Sequence, residues 1–216
     1  MDFTHSYREV FPADVLDRYD WLETRNASAI VEATNAEQFG DLVAALRAFA
    51  VDPALDIFPT GGNESNTAAR LNAGLRDRGW REGSYTVALT AELRMLAYGE
   101  DEGAQVLPIE NEAASYLIDN IKGRIAVDVE WHAKDGNLDR DLAAYRSLYN
   151  EGIIDAAAII TMHRAEMRAW ARRLDPETTK FNTSTTTNLE KVTPRLERGD
   201  SGGCPVLIVA VCQRTV

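Results

Sequence analysis

Residues 118–135 read IDNIKGRIAVDVEWHAKD: a carboxylate, a short basic turn, then an apolar run carrying acids two positions apart. Alternation predicts a β-strand over residues 124–131. On it Ala126, Asp128, Glu130 and His132 share one face, and Ile125, Val127, Val129 and Trp131 share the other. Like charges side by side on one strand face repel unless a proton, a positive group or a cation compensates them. A divalent metal bound through oxygen ligands is a common solution. Asp119 supplies a third carboxylate from the preceding element. Acidic residues on the wet face of an antiparallel strand are also ordinary, so spacing alone leaves both readings open.

The text around this segment carries a resemblance. Residues 118–161, IDNIKGRIAVDVEWHAKDGNLDRDLAAYRSLYNEGIIDAAAIIT, resemble the catalytic segment of the BglII group of type II restriction endonucleases. The shared features are the Asp, a nine-residue step, an acidic-x-polar strand and a Lys-Asp turn. A looser likeness continues in GGNES with RLNAGLRDRGW (61–80), in NTSTTTNLEKVTPRLERGD (182–200) and in the terminal PVLIVAV. Two positions depart from the wider superfamily, which prefers Lys where this chain has Glu130 and Glu where it has Asp128.

The resemblance implies an α/β fold, a central mixed β-sheet flanked by α-helices with a restriction-endonuclease-like core, its catalytic part at about 84–213. It implies Mg²⁺-dependent hydrolysis of DNA phosphodiesters. Asp119, Asp128 and the main-chain carbonyl of Val129 would hold Mg²⁺, and Glu130 would orient or deprotonate the attacking water, or bind a second ion. His132 and Lys134, after the catalytic strand, and Ser184, Thr185 and Thr187, in a later polar loop, would read bases. Lys122 and Arg124 would touch phosphate or neutralise the acidic cluster. The resemblance further implies a homodimer acting on double-stranded DNA, at a six-base palindrome with a GATC centre cut to leave 5′ overhangs. A cognate DNA methyltransferase would be its functional partner.

The chain of 216 residues, 45% hydrophobic, can bury one substantial core, so a single domain over 1–216 is expected. No apolar run approaches the roughly 20 residues of a membrane span, and the N-terminal MDFTHSYREVFPAD lacks a signal-peptide core. A soluble, cytoplasmic protein is the expectation. Cys204 and Cys212 read as reduced core thiols, and with His5, His132 and His163 scattered no zinc site is expected. The net charge of −11 argues against simple coating of DNA. Much of that charge is local: residues 98–119 carry six acids and no base. Modest Arg-rich patches occur at 57–81 and 163–180, equally readable as solvated helix faces.

Helices are predicted over 35–50 with Asn35 as cap, 65–79 from Ser65 to Gly79, 139–151 with Leu142, Tyr145, Leu148 and Tyr149 inward, and 163–173. Strands are predicted at 84–89, 124–131, 155–162 and the terminal PVLIVAV. The Gly-Gly loop at 61–65 has no following Lys and is no nucleotide P-loop. The first 30 residues suggest no role. GDSGG at 199–203 looks like a serine-protease nucleophile loop around Ser201, but no base or orienting acid accompanies it, so it reads as a turn. The rival readings are therefore a catalytically silent DNA-binding module on the same scaffold and, more remotely, a Ser201 hydrolase.

Overall fold

The computed structural model describes residues 2–58, 65–97, 103 and 105–216, leaving the side chains of 89 and 111–114 aside. The Gly-Gly loop at 61–64 and the acidic run at 98–102 lie outside the described residues. A seven-stranded mixed sheet runs in the order β1-β2-β7-β6-β5-β4-β3. This is the α/β architecture that the resemblance implies.

Its centre follows from composition. Strand β6 (Ala156–Met162, AAAIITM) and strand β7 (Val206–Val211, VLIVAV) have every residue buried, as a strand covered on both faces requires. Strand β5 (Ile125–Val129) runs parallel to β6, and β6 parallel to β7. Helix α6 (Gly136–Asn150) makes the β5-to-β6 crossover, and α7 (Arg164–Leu174) and α8 (Leu189–Arg198) lie between β6 and β7.

The two sheet faces differ as the alternation predicts. Ile125, Val127, Val129 and Trp131 join Ala158, Ile160, Leu207 and Val209 in the main core. Leu42 and Leu46 of α4 (Ala36–Ala48), Val31 of α3 (Ala27–Thr34) and Leu71 and Leu75 of α5 (Asn66–Arg76) pack into the same cluster. Each such side chain stabilises the fold by about 1.5–3 kcal/mol through burial. On α6, Leu138, Leu142, Tyr145 and Leu148 are all buried. Ser65 caps α5 by accepting from Ala68 N–H at 3.1 Å, as expected. Asn35 precedes α4, but its side chain donates to Asp155 at 3.0 Å instead of capping.

The first 30 residues do have a role. Strand β2 (Tyr19–Thr24) pairs antiparallel with β7, and β1 (Phe3–Thr4) with β2. The short helices α1 (Tyr7–Val10) and α2 (Ala13–Leu16) bury Tyr7 and Val15. The YDWLET of β2 is hard to recognise as a strand because Glu23 is fully buried. Its carboxylate accepts from the backbone N–H groups of Ser6 and Ser28 and from the Thr4 hydroxyl, which removes the cost of burying it.

The chain divides into two compact units, residues 1–83 with 118–216, and residues 84–117. The smaller unit consists of the outer parts of β3 (Arg81–Met95) and β4 (Gln105–Lys122), with Tyr85 and Tyr116 stacked at 6.5 Å. Strand β3 is longer than the predicted 84–89, and β4 is a strand that the sequence did not suggest. Cys204 and Cys212 flank β7 as buried, unbridged thiols, and burial pushes Cys204 up to about 12. Ser201 is fully buried and donates to the Cys204 carbonyl at 3.3 Å, so GDSGG is a structural turn with no accessible nucleophile.

A tight turn sets the register that matters most. Gly123 and Arg124 join β4 to β5, with Gly123 at φ +56°, and Asn120 pairs with Val127. Arg124 forks onto Asp155 at 2.7 and 2.9 Å and donates to the Gly152 carbonyl, while Lys122 grips Asp41 and Glu37 at 2.7 Å each. A Cβ at Gly123 would also stand 2.9 Å from the Gln38 amide, a side-chain end free to move aside. Gly123→Ala is therefore expected to lower stability by about 1–2 kcal/mol, chiefly through the left-handed backbone. Urea unfolding checks this, and an unchanged midpoint would refute it.

Candidate active site

The Asn120↔Val127 register places Asp119 on β4 directly across from Asp128 on β5. Each carboxylate binds the other strand's backbone. Asp119 N–H donates to Asp128 Oδ1 at 2.7 Å, and Val129 N–H donates to Asp119 Oδ2 at 3.1 Å. The Tyr145 hydroxyl of α6 donates to Asp128 Oδ2 at 2.5 Å and approaches the Ala158 carbonyl at 3.2 Å. Asp119, Asp128 and Val129 are thus assembled at one place.

Glu130 follows β5 directly, and its backbone is clamped to β6. Its N–H donates to the Ile160 carbonyl at 2.8 Å, and its carbonyl accepts the Thr161 hydroxyl at 2.8 Å. Its side chain is 7% exposed, with Asp141, Thr187 and Asn137 within hydrogen-bonding reach. Asn137, Asp141 and Tyr145 are spaced i, i+4, i+8 on α6, so one stripe of that helix turns three polar groups toward the carboxylates.

Concentrating acids in a dry pocket shifts their protonation. Burial, with the charge of Asp119 adding, pushes Asp128 up to about 7 against the opposing hydrogen bonds from Asp119 N–H and Tyr145. Burial also raises Glu130, again with Asp119 adding, while Asp141, Thr187 and Asn137 pull it down. Asp141 is raised furthest, by burial and then by Asp128 and Glu130. Glu130 Oε2 is buried with no hydrogen-bond partner. An all-oxygen set of acids too crowded to ionise together, one oxygen orphaned, fits a hard divalent cation.

Among the described residues, the group whose ligand atoms all lie within 4.8 Å of one another is a different one, Asp20, Glu166 and Cys212. Its acids already have cationic partners. Asp20 meets His163 at 2.6 Å and Arg214 at 2.5 Å, and Glu166 meets Arg214 at 3.7 Å.

A cleft of about 990 Å³ opens onto Asp119, Val129 and Glu130. One wall is the turn at Pro53–Ile57 with α5, including Asn66, Asn72 and Arg76; the other includes His132, Ala133, Lys180, Phe181 and Thr186. Asn120 Nδ2 donates to Asn72 Oδ1 at 2.8 Å, which fastens α5 beside Asp119.

The strand ends at Val129, and His132 sits at φ +60°, so the face alternation does not extend to it. Its ring stacks on Phe181 at 5.0 Å; loss of water, with Lys180 adding, presses it down to about 4, leaving it neutral at pH 7. The two loops read as base contacts are joined to one another. Thr187 N–H donates to the Ala133 carbonyl at 2.9 Å and Asp135 N–H to the Thr185 carbonyl at 3.0 Å, with Lys134 bridged to Thr186. Lys134, Ser184 and Thr185 are exposed, whereas Thr187 is fully buried against Glu130. Lys122 does not line the cleft; Glu37, Asp41 and the Arg78 carbonyl hold its ammonium.

Comparison with known proteins gives one family. The model of the family "Restriction endonuclease BglII/BglIII" matches residues 19–211. No curated protein matches the chain.

Asp128 yields a test that needs no substrate. Its folded value of about 7 lies above the usual carboxylate range near 3.9, so the unfolded chain binds fewer protons between these values. Stability of the metal-free protein therefore falls as pH rises from about 4 to 7. Asp128→Asn removes that loss, and in chelator at pH 8 it is expected to be more stable than the parent by roughly 1–3 kcal/mol, with no advantage at pH 4. Urea titrations at both pH values check this. A parent that is the more stable at pH 8 would refute it.

Proposed function

Because the chain belongs to the BglII/BglIII restriction endonuclease family, matched over residues 19–211, we propose that it is a Mg²⁺-dependent, site-specific endonuclease of double-stranded DNA. The observation that carries this reading is the cross-strand pair of Asp119 and buried Asp128, of which Asp119 opens with Glu130 onto the cleft.

In this reading Asp119, Asp128 and the Val129 carbonyl hold the ion. When bound, Mg²⁺ supplies the charge that offsets the phosphate oxygens and lowers the pKa of water. Tyr145 fixes the rotamer of Asp128 through its short hydrogen bond. Glu130, its carboxyl raised by burial and its backbone clamped to β6, would orient the attacking water and, as the carboxylate, take its proton. The cleft of about 990 Å³ between α5 and the 180–187 segment is where a phosphate backbone would enter. The exposed Lys134, Ser184 and Thr185 and the neutral His132 offer donors and acceptors for base edges and phosphates. Lys122 contributes by anchoring β4 to α4.

Family likeness supports the finer points. The protein acts as a homodimer on a palindrome with a GATC centre, each subunit cutting one strand to leave 5′ overhangs. It works in the cytoplasm beside a methyltransferase that protects the same site. No helix among the described residues is long and apolar enough to cross a membrane.

The direct experiment incubates the protein with unmethylated phage DNA, in Mg²⁺ and in chelator. Discrete Mg²⁺-dependent fragments are expected, with Asp119→Ala cutting at least roughly 10²-fold more slowly. Sequencing the ends gives the site. Binding of DNA with no cleavage in either Mg²⁺ or Mn²⁺ would instead identify a silent DNA-binding relative.

A further inference from the structure

Strand β3 ends the sheet, so along its outer side a row of backbone N–H and C=O groups faces away from β4. At 15 residues it is a long edge, of the kind that proteins shorten, charge or cover because it pairs readily with another strand. The ribbon it forms with β4 has no core of its own. None of the described side chains of residues 84–117 is buried, and Leu93, Met95, Val106, Leu107, Ile109 and Leu117 are all exposed. A lone two-stranded ribbon is marginal in water, so this one gains from a cover. DNA is a poor one, since residues 84–117 carry six acids and one base.

The strand is complementary to itself. A two-fold axis normal to the sheet keeps like faces together, so in an antiparallel pair of β3 strands even-numbered residues lie opposite even and odd opposite odd. Two such registers set opposite charges across the seam. One puts Glu92 against the partner's Arg94 but overlaps only residues 91–95. The other is centred on Ala88 and overlaps the whole of Arg81–Met95. It sets Glu82 against the partner's Arg94 at both ends and Thr86 against the partner's Thr90, both favourable cross-strand pairs. Glu82, Thr86, Ala88, Thr90 and Arg94 are all exposed and share one face. We propose that β3 pairs antiparallel with β3 of a second copy of this chain across a two-fold axis at Ala88, joining the two sheets into one. This rests on the homodimer reading above and gives it a surface, and it requires neither metal nor DNA.

The test uses the full chain in the absence of DNA. Under mild oxidation Ala88→Cys should form a disulfide between two copies, because opposite residues of antiparallel strands stand about 4.5–5.5 Å apart at Cα. Ser84→Cys, on the same face, should not, its two copies lying roughly 27 Å apart along the strands. Native Cys204 and Cys212 are buried and leave the background silent. In sedimentation equilibrium Arg94→Glu should weaken the dimer by about tenfold or more, as two attractive pairs become repulsive, and adding Glu82→Arg should restore it. Circular dichroism confirms that each of these exposed-site variants is folded. Absence of the Ala88→Cys cross-link, or a dimer that the charge changes leave unaltered or unrescued, overturns the edge pairing and leaves the homodimer reading standing. A chain that stays monomeric at every accessible concentration overturns both, and Mg²⁺-dependent cutting is judged separately.

Discussion

Burial of like charge is the constraint around which this structure is arranged. Asp119, Asp128, Glu130 and Asp141 interact electrostatically in a pocket dry enough to raise the last three above their ordinary range. Left alone, such a group would splay or unfold, because desolvating an anion beside another anion is among the costliest arrangements a protein can adopt. The scaffold answers by committing backbone. Two N–H groups of the β4–β5 ladder bind the two aspartates, and the backbone of Glu130 is held on both sides to β6. Rigidity here is electrostatic preorganisation, with strands holding acids at a separation they would not choose in water.

The layers behind this centre explain how it is held. Parallel β5, β6 and β7 are buried throughout, and the small side chains of β6 allow α6 to approach closely enough for the Tyr145 hydroxyl to contact both Asp128 and the Ala158 carbonyl. On the other face the α4 and α5 side chains fill the main core, while Asn72 ties α5 to Asn120, next in sequence to Asp119. Lys122 and Arg124 fasten the intervening turn to α4 and to the start of β6. Residues that from sequence could be phosphate contacts thus serve to hold the β4–β5 register.

Legibility in the sequence followed the range of the interactions. Asp119, Asp128 and Glu130 could be found because a tight turn and a period-two strand are local, and because the family likeness is densest there. The all-apolar β6 and β7 were readable for the same reason. Asp141 was not, since α6 also carries Asp139 and Arg140, and spacing alone does not say which polar stripe of a helix faces inward. The i, i+4, i+8 series Asn137, Asp141, Tyr145 was the available signal, and it acquires meaning only once the face is known. Strand β2 was hidden by Glu23, whose partners Thr4, Ser6 and Ser28 come from either side of the strand. Thr187 looked like its exposed neighbours Ser184 and Thr185 until the ladder with 133–135 turned it inward.

That ladder also bears on how an acidic protein could engage an acidic polymer. Most cations of the two Arg-rich patches have internal duties. Arg70 pairs with Asp56, Arg78 and Arg81 bind carbonyls, and Arg164 binds the carbonyls of Phe181 and Asn182. A broad basic surface, the usual source of non-specific affinity, is therefore thin here. What remains is short range: hydrogen-bonding groups on two loops tied to one another and ending at the carboxylate centre. Thr187 and Glu130 meet where the ladder joins the centre, so the 182–187 segment is mechanically tied to these acids.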